Sequence, residues 1–319
     1  MAKTKTSNAK RKRPGGRPGG RPGRTAPQRV TAGDWIGGAR LRTLPLAVVP
    51  VLLGTGVAAA AGDWDLPLAL LCLAVAVFLQ IGVNFSDDYS DGVRGTDEFR
   101  VGPARLTGSG AVRPRSVLRV ALAFFGLALV AGLVVVVLTQ LWWALLVGAA
   151  CVVAAWYYTG GKRPYGYNAL GELFVFVFFG LVATVGTTFV QLGRAPFDAW
   201  VAAVVSGLFA CAVLMVNNVR DIAPDRAAGK RTLAVLVGDT VARALFATFL
   251  LLPYLLLVYF SFLYFSAPYT WFTLLLAVPA TLVGVTGRTA KELVLALQLS
   301  SLTALAYAVA LSAALFATP

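Results

Sequence analysis

Two stretches of this sequence gather carboxylates at helical spacing. The first runs Asn84-Phe85-Ser86-Asp87-Asp88-Tyr89-Ser90-Asp91 and continues to Asp97 and Glu98; the second runs Asn217-Asn218-Val219-Arg220-Asp221-Ile222-Ala223-Pro224-Asp225. Together they hold seven of the fourteen Asp and Glu residues in the chain, a clustering that a solvated surface has no need of. Asn84 and Asp88 match Asn217 and Asp221 at an offset of 133 residues, and a further Asp follows each pair after three or four. Residues at that spacing share one helical face, so each stretch presents a comb of oxygen atoms. Carboxylates this close repel one another unless a cation joins them. Mg2+ takes one or two protein carboxylates and completes its shell with water and phosphate oxygens. The combs therefore read as two half-sites for a diphosphate, with Asp87, Asp88, Asp91, Asp221 and Asp225 as metal ligands. Spacing leaves open which of Asp87, Asp88 and Asp91 touch the ion. A metal-bound diphosphate is a good leaving group, because the charge that develops on its bridging oxygen is already stabilised. Arg94, Arg220 and Lys230 flank the combs and can neutralise the remaining phosphate charge.

The elements that must position these residues follow from composition. Of 319 residues, 58% are hydrophobic and only 13% charged, against about 25% charged in soluble domains. Apolar runs of spanning length recur at residues 43–61, 66–87, 116–138, 141–159, 169–191, 197–219, 241–263, 268–287 and 292–317. The expected fold is all-α, a polytopic membrane bundle of about nine helices. The connections alternate between short, nearly uncharged ones and longer basic ones carrying Arg94 to Arg115, then Lys162 and Arg163, then Arg220 to Arg231, then Arg288 and Lys291. By the positive-inside rule the basic set and the N-terminus face the cytoplasm and the C-terminus lies outside. The protein is thus expected in the plasma membrane, with both combs at the cytoplasmic face.

Residues 1–32 form a separate region. Ten Lys and Arg lie between Lys3 and Arg29 with no acidic residue among them, in a Gly- and Pro-rich setting that offers nothing to bury. It reads as a disordered tail attracted to anionic lipid. It has no aromatic residues to stack on bases, so no nucleic acid is expected. The membrane domain is residues 33–319. Three cysteines within apolar runs and no histidine give no disulfide framework, zinc site or haem site.

Other residues carry a functional and a bland reading side by side. Lys162 and Arg163 are placed to hold a diphosphate or an acceptor carboxylate, or simply to anchor a cytoplasmic loop. Tyr158 and Tyr165 suit a carbocation or an aromatic acceptor, but equally an interfacial belt. Arg40 and Arg42 can reach phosphate or snorkel at a helix start. Glu172, the only acidic residue near the start of the fifth run, is a candidate for orienting or deprotonating a phenol. Phe174, Phe176, Phe178 and Phe179 read as packing with a possible share in a tunnel wall.

At the two combs the chain closely resembles the UbiA-type superfamily of membrane prenyltransferases, which carry aspartate motifs after the second and sixth of nine helices. Further stretches resemble the branch acting on 1,4-dihydroxy-2-naphthoate in menaquinone synthesis. These are Arg40-Leu41-Arg42-Thr43-Leu44-Pro45, Asp88 to Asp97, Tyr158-Thr159-Gly160-Gly161, Pro164-Tyr165-Gly166-Tyr167, Leu170-Gly171-Glu172 and Gly229-Lys230-Arg231-Thr232-Leu233. The resemblance, over residues 35–317, implies a Mg2+-dependent reaction. It joins a polyprenyl diphosphate to the naphthoate, releases diphosphate and CO2, and yields demethylmenaquinol or its quinone. It also places Tyr158, Lys162 and Asn168 near the acceptor. Two other readings stay open: the same chemistry on 4-hydroxybenzoate, homogentisate or a phosphorylated sugar, and a divalent-cation transporter. A transporter usually holds its ion near the midplane on broken helices, whereas these carboxylates gather at one face.

Overall fold

The computed structural model describes residues 30–96 and 105–318. Asp97, Glu98, Arg100 and the tail up to residue 29 lie outside the described residues. Backbone polar groups in hydrocarbon find no water, so apolar runs satisfy them internally as helices. Among the described residues a short helix α1, Ala32–Gly38, leads into nine helical rods. They are α2 Pro45–Ala60, α3 Leu66–Arg94, α4 Pro114–Thr139, α5 Ala144–Tyr157 and a fifth rod, Gly171–Leu192. The fifth rod consists of α6 Gly171–Val175, ten π-helical residues Phe176–Val185, and α7 Gly186–Leu192. There follow α8 Phe197–Arg220, two short helices α9 Ile222–Ala227 and α10 Leu233–Val237, and α11 Asp239–Leu263. An eighth rod, Ala267–Thr286, ends in α12 Leu274–Thr286, and α13 Ala290–Phe316 completes the bundle. Every described element is helical, as the sequence led us to expect.

Among the described residues seven rods are long and apolar enough to cross a membrane. The other two, α2 with 16 residues and α5 with 14, reach about 24 Å and 21 Å at 1.5 Å per residue and are prolonged by turns at 39–44 and 142–143. Helix ends follow local chemistry. Asp65 caps α3 by accepting from the Leu68 N–H at 2.6 Å, and Gly95 stops it at a φ of 74°, a conformation that favours glycine. The sequence reading ended this span near residue 87, yet the helix continues to Arg94 because cations from other elements neutralise the carboxylates on its last turns. Thr31 and Asp34 form a capping box for α1, so helix begins inside the stretch read as tail.

At the centre stands α8, packed against the π-helical stretch, α2, α11 and α13. Between helices in lipid, close contact rather than hydrophobic exclusion supplies the attraction, and small residues permit it. A methyl group on Gly180 would lie 2.7 Å from the Ala203 carbonyl oxygen, so this close approach requires glycine. The Ser206 hydroxyl, also on α8, donates to the Phe179 carbonyl at 3.0 Å within the π-helical stretch. On the other side, α3 and α4 pack as a pair and α5 stands apart, with Ala154 its only buried residue. The space between these two groups is the site.

Candidate active site

One helical step of about 100° separates neighbouring side chains, so Asp87 and Asp91 share a face of α3 and Asp88 points elsewhere. The Asp87 carboxylate accepts from Arg40 Nη1 at 3.2 Å and from the Thr159 hydroxyl at 2.8 Å. Arg40 reaches it from the turn after α1, where its own φ is 54°, a strained backbone for a residue with a side chain. Asp91 accepts from Arg105 Nη1 at 2.5 Å, from Lys230 Nζ at 3.1 Å and from the Tyr167 hydroxyl. Burial and the Asp91 carboxylate push the Tyr167 pKa well above its ordinary value, so the phenol remains a donor.

On the second comb, Arg220 grips Asp221 with a two-point fork, Nε to Oδ1 at 2.8 Å and Nη2 to Oδ2 at 2.5 Å, and the same Nη2 donates to Asn217 Oδ1 at 2.9 Å. Such forks fix a carboxylate's plane as well as its charge. Asp225 lies one turn on, in α9, 3.9 Å from Lys230 Nζ. Lys230 therefore joins the two combs, and it sits 4.6 Å from the centre of the Tyr167 ring, a cation–π contact.

Asn84, Asp87, Asp91, Asn217, Asp221 and Asp225 all line one cavity of about 490 Å3. From this polar end the cavity runs along α5 to Trp143 and Phe189, about 20 Å away at 1.5 Å per helical residue. Its walls there are apolar, among them Val75, Val147, Phe178 and Val182. Leu129, Leu133 and Leu145 line it too, yet 43 to 50% of their surface is exposed. Half-exposed leucines of α4 and α5 thus wall this part of the cavity.

The donor set suits a hard cation. It is all oxygen, and Asn84 spends its Nδ2 on the Ala39 carbonyl at 2.8 Å, which leaves Oδ1 for the cavity. Among the described residues no three Asp, Glu, His or Cys side chains converge into a closed ligand set. Two separated carboxylate pairs fit Mg2+, which draws the rest of its shell from phosphate and water, better than a cation needing a protein cage.

Of the residues singled out from sequence, the structure brings Arg40, Asn84, Asp87, Asp91, Tyr158, Tyr165, Asn217, Asp221, Asp225 and Lys230 to the cavity. It does not bring Asp88. Both Asp88 oxygens accept backbone N–H groups, from Leu106 at 2.9 Å and Thr107 at 2.8 Å, so this carboxylate holds the loop that carries Arg105. Arg94 donates to the carbonyls of Thr159 and Gly161 and thereby splices the end of α3 to the loop after α5. Arg220 stands behind Asp221, Glu172 is buried behind Asn218, and Asn168 braces its own loop through the Pro164 carbonyl at 2.8 Å. Arg42, Lys162 and Arg163 are exposed and away from the cavity. Phe174, Phe178 and Phe179 line it, whereas Phe176 packs on Gly207.

Sequence reasoning gave Arg105, counted only within the basic connection, and Thr159 and Tyr167 no individual role. The last two lie within Tyr158-Thr159-Gly160-Gly161 and Pro164-Tyr165-Gly166-Tyr167, so a signal was there, without a role attached to the individual side chains.

The chain is 45% identical over 299 residues to a 1,4-dihydroxy-2-naphthoate octaprenyltransferase of Mycobacterium tuberculosis, covering 88% of this chain and 96% of that one. A protein of the same name from Mycobacterium leprae is 48% identical over 221 residues, 68% of this chain and 74% of that one. Among solved structures, a UbiA homolog from Aeropyrum pernix superposes with a TM-score of 0.62 at 18% identity, covering 85% of this chain and 96% of that one. A UbiA homolog from Archaeoglobus fulgidus bound to GPP and Mg2+ gives 0.51 at 18% identity, with 86% and 99% covered. Residues 47–290 match the UbiA prenyltransferase family, and with relatives of this identity and coverage beside that match the chain belongs to the UbiA prenyltransferase family.

Proposed function

We infer that this protein transfers a polyprenyl chain from its diphosphate to 1,4-dihydroxy-2-naphthoate, with loss of diphosphate and CO2, at the cytoplasmic face of the membrane. The observation that carries the reading is the single cavity with a charged end and an apolar length, since it matches a substrate with a diphosphate head and a hydrocarbon tail. The relatives that share 45 to 48% identity and bear the naphthoate name support the acceptor. The basic connections support the orientation, because Arg105, Lys162, Arg220 and Lys230 all belong to one side of the bundle.

In this reading Asp87, Asp91, Asp221 and Asp225, with Asn84, hold Mg2+, which when bound supplies positive charge against the departing diphosphate. Arg40, Arg105 and Lys230 already point at this end of the cavity, and each can turn from its carboxylate to a phosphate oxygen when ligands arrive. Arg220 keeps Asp221 oriented throughout. Tyr158 and Tyr165 form an aromatic wall beside the charged end, their rings 5.6 Å apart, where the negative faces of the rings favour an allylic cation. The apolar length excludes water, which would otherwise capture that cation. No activated Ser, Cys or His is required, because an electron-rich hydroxylated ring is nucleophile enough.

The deciding experiment uses naphthoate labelled at its carboxyl carbon. Purified protein with polyprenyl diphosphate and Mg2+ should release one labelled CO2 per prenylated ring, and 4-hydroxybenzoate should be a poor substrate that keeps its carboxylate. Efficient prenylation of 4-hydroxybenzoate with none of the naphthoate overturns the acceptor assignment.

A further inference from the structure

Asn217 and Asn218 are adjacent, and both line the cavity. An amide has a donor end and an acceptor end, and whichever end the protein uses leaves the other for a ligand. For Asn217 the protein takes the oxygen: Arg220 Nη2 donates to Oδ1 at 2.9 Å, so the NH2 group remains, a partner for phosphate oxygens. For Asn218 the protein takes the nitrogen. Its Nδ2 donates to Glu172 Oε1 at 2.9 Å, and among the described residues no donor reaches its Oδ1. Neighbouring asparagines are thus given opposite polarity. A bare carbonyl oxygen repels a diphosphate but accepts from a hydroxyl.

Glu172 is an expensive way to build a helix start. Only 6% of its surface is exposed, its Oε2 finds no hydrogen-bond partner among the described residues, and no described cation pairs with it. A buried carboxyl in that state costs free energy, and among the described residues its only side-chain hydrogen-bond partner is Asn218. The surroundings are aromatic. Tyr165 stacks on Phe174 with ring centres 4.0 Å apart, and a methyl group on Gly171, next to Glu172, would lie 4.0 Å from the Tyr158 hydroxyl. Tyr158 also lines the cavity. Asp221 follows Asn218 by three residues, so the carbonyl stands about one turn from the diphosphate end.

Resting on the proposed reaction, we propose that Asn218 accepts a hydrogen bond from a ring hydroxyl of the acceptor, and that Glu172 is the positioning residue that keeps the Asn218 carbonyl turned into the cavity. The pair then selects hydroxylated rings and takes no part in binding the donor.

The test is steady-state kinetics with each substrate varied while the other is saturating. Glu172→Leu and Asn218→Leu should raise the KM for 1,4-dihydroxy-2-naphthoate by about tenfold or more, the scale of one buried hydrogen bond to a substrate. The KM for polyprenyl diphosphate should stay within about twofold, since that change is too small to represent a lost bond. Glu172→Gln still offers Asn218 an amide oxygen and should restore near-normal acceptor KM, which a merely space-filling role does not predict. It also decides the matter if Glu172→Leu fails to fold. The wild type should discriminate against naphthoates with one hydroxyl replaced by hydrogen, and for one of the two positions Asn218→Leu should erase that preference. An equal rise in donor KM, or an unchanged acceptor KM in both leucine variants, overturns the inference. If wild-type protein prenylates only 4-hydroxybenzoate, the acceptor assignment has failed instead, and the same split of KM values measured with that phenol still decides the role of the pair.

Discussion

The two carboxylate pairs look alike in sequence and differ in how they are built. Asp87 and Asp91 lie within a continuous helix, at 4% and 2% exposure, and cations from three separate parts of the chain neutralise them. Asp221 ends a helix and Asp225 begins the next turn of chain, with Arg220 and Lys230 of the same segment beside them. The first pair therefore helps hold the structure together, since Arg40, Thr159, Arg105, Tyr167 and Lys230 all meet on it. The second is mainly a ligand surface. Where ion pairs from distant elements converge on a carboxylate, its removal damages fold and chemistry together; where they do not, chemistry can be isolated.

Removing the metal should have the largest effect and treat both pairs alike. Exhaustive chelation should abolish turnover without lowering the melting temperature, and restored Mg2+ should recover it; full activity in metal-free protein sinks the two-pair mechanism. Next come the ligands themselves, where the pairs should part company. Asp91→Asn and Asp225→Asn should each lower kcat on the order of 100- to 1000-fold, the usual loss when charge at the reacting group is removed. Asp91→Asn should cost the more stability, about 3–5 kcal/mol, because it removes the buried carboxylate on which Arg105 and Lys230 converge. Equal melting temperatures for the two variants break the comparison.

Asp88 refines it further. Asp88→Asn keeps one acceptor for the loop and should lower stability by about 1–3 kcal/mol through the other N–H, while kcat per folded molecule falls less than in Asp225→Asn. A folded but inactive Asp88→Asn protein returns this residue to the metal site. The smallest effects belong to the exposed cations: Lys162→Gln and Arg42→Gln should change kcat/KM by less than about threefold, as surface changes away from a site usually do.

How far sequence reached follows the same division. Nine rods were legible because each apolar run must close its own hydrogen bonds in lipid. The carboxylates were legible because helical spacing alone puts Asp87 with Asp91 and Asp221 with Asp225 on shared faces. The choice between Asp87 and Asp88 was not, since it depends on the backbone of Leu106 and Thr107 docking 18 and 19 residues away. Tyr167 reaches Asp91 across 76 residues and Thr159 reaches Asp87 across 72, and no local pattern encodes such meetings. The π-helical turns of the fifth rod were equally hidden, because their wider winding answers to α8 packed against them rather than to the composition of Phe176–Val185.

An apolar cavity walled by membrane-spanning helices changes what concentration means for this enzyme. A donor whose hydrocarbon tail lies in the bilayer before it lies against Leu129, Leu133 and Leu145 is counted by its mole fraction among lipids, not by its molarity in the tube. The water-soluble acceptor arrives from bulk solvent. One substrate is therefore supplied in two dimensions and the other in three, and a membrane that expands its lipid area at constant donor content slows the first supply while leaving the second untouched.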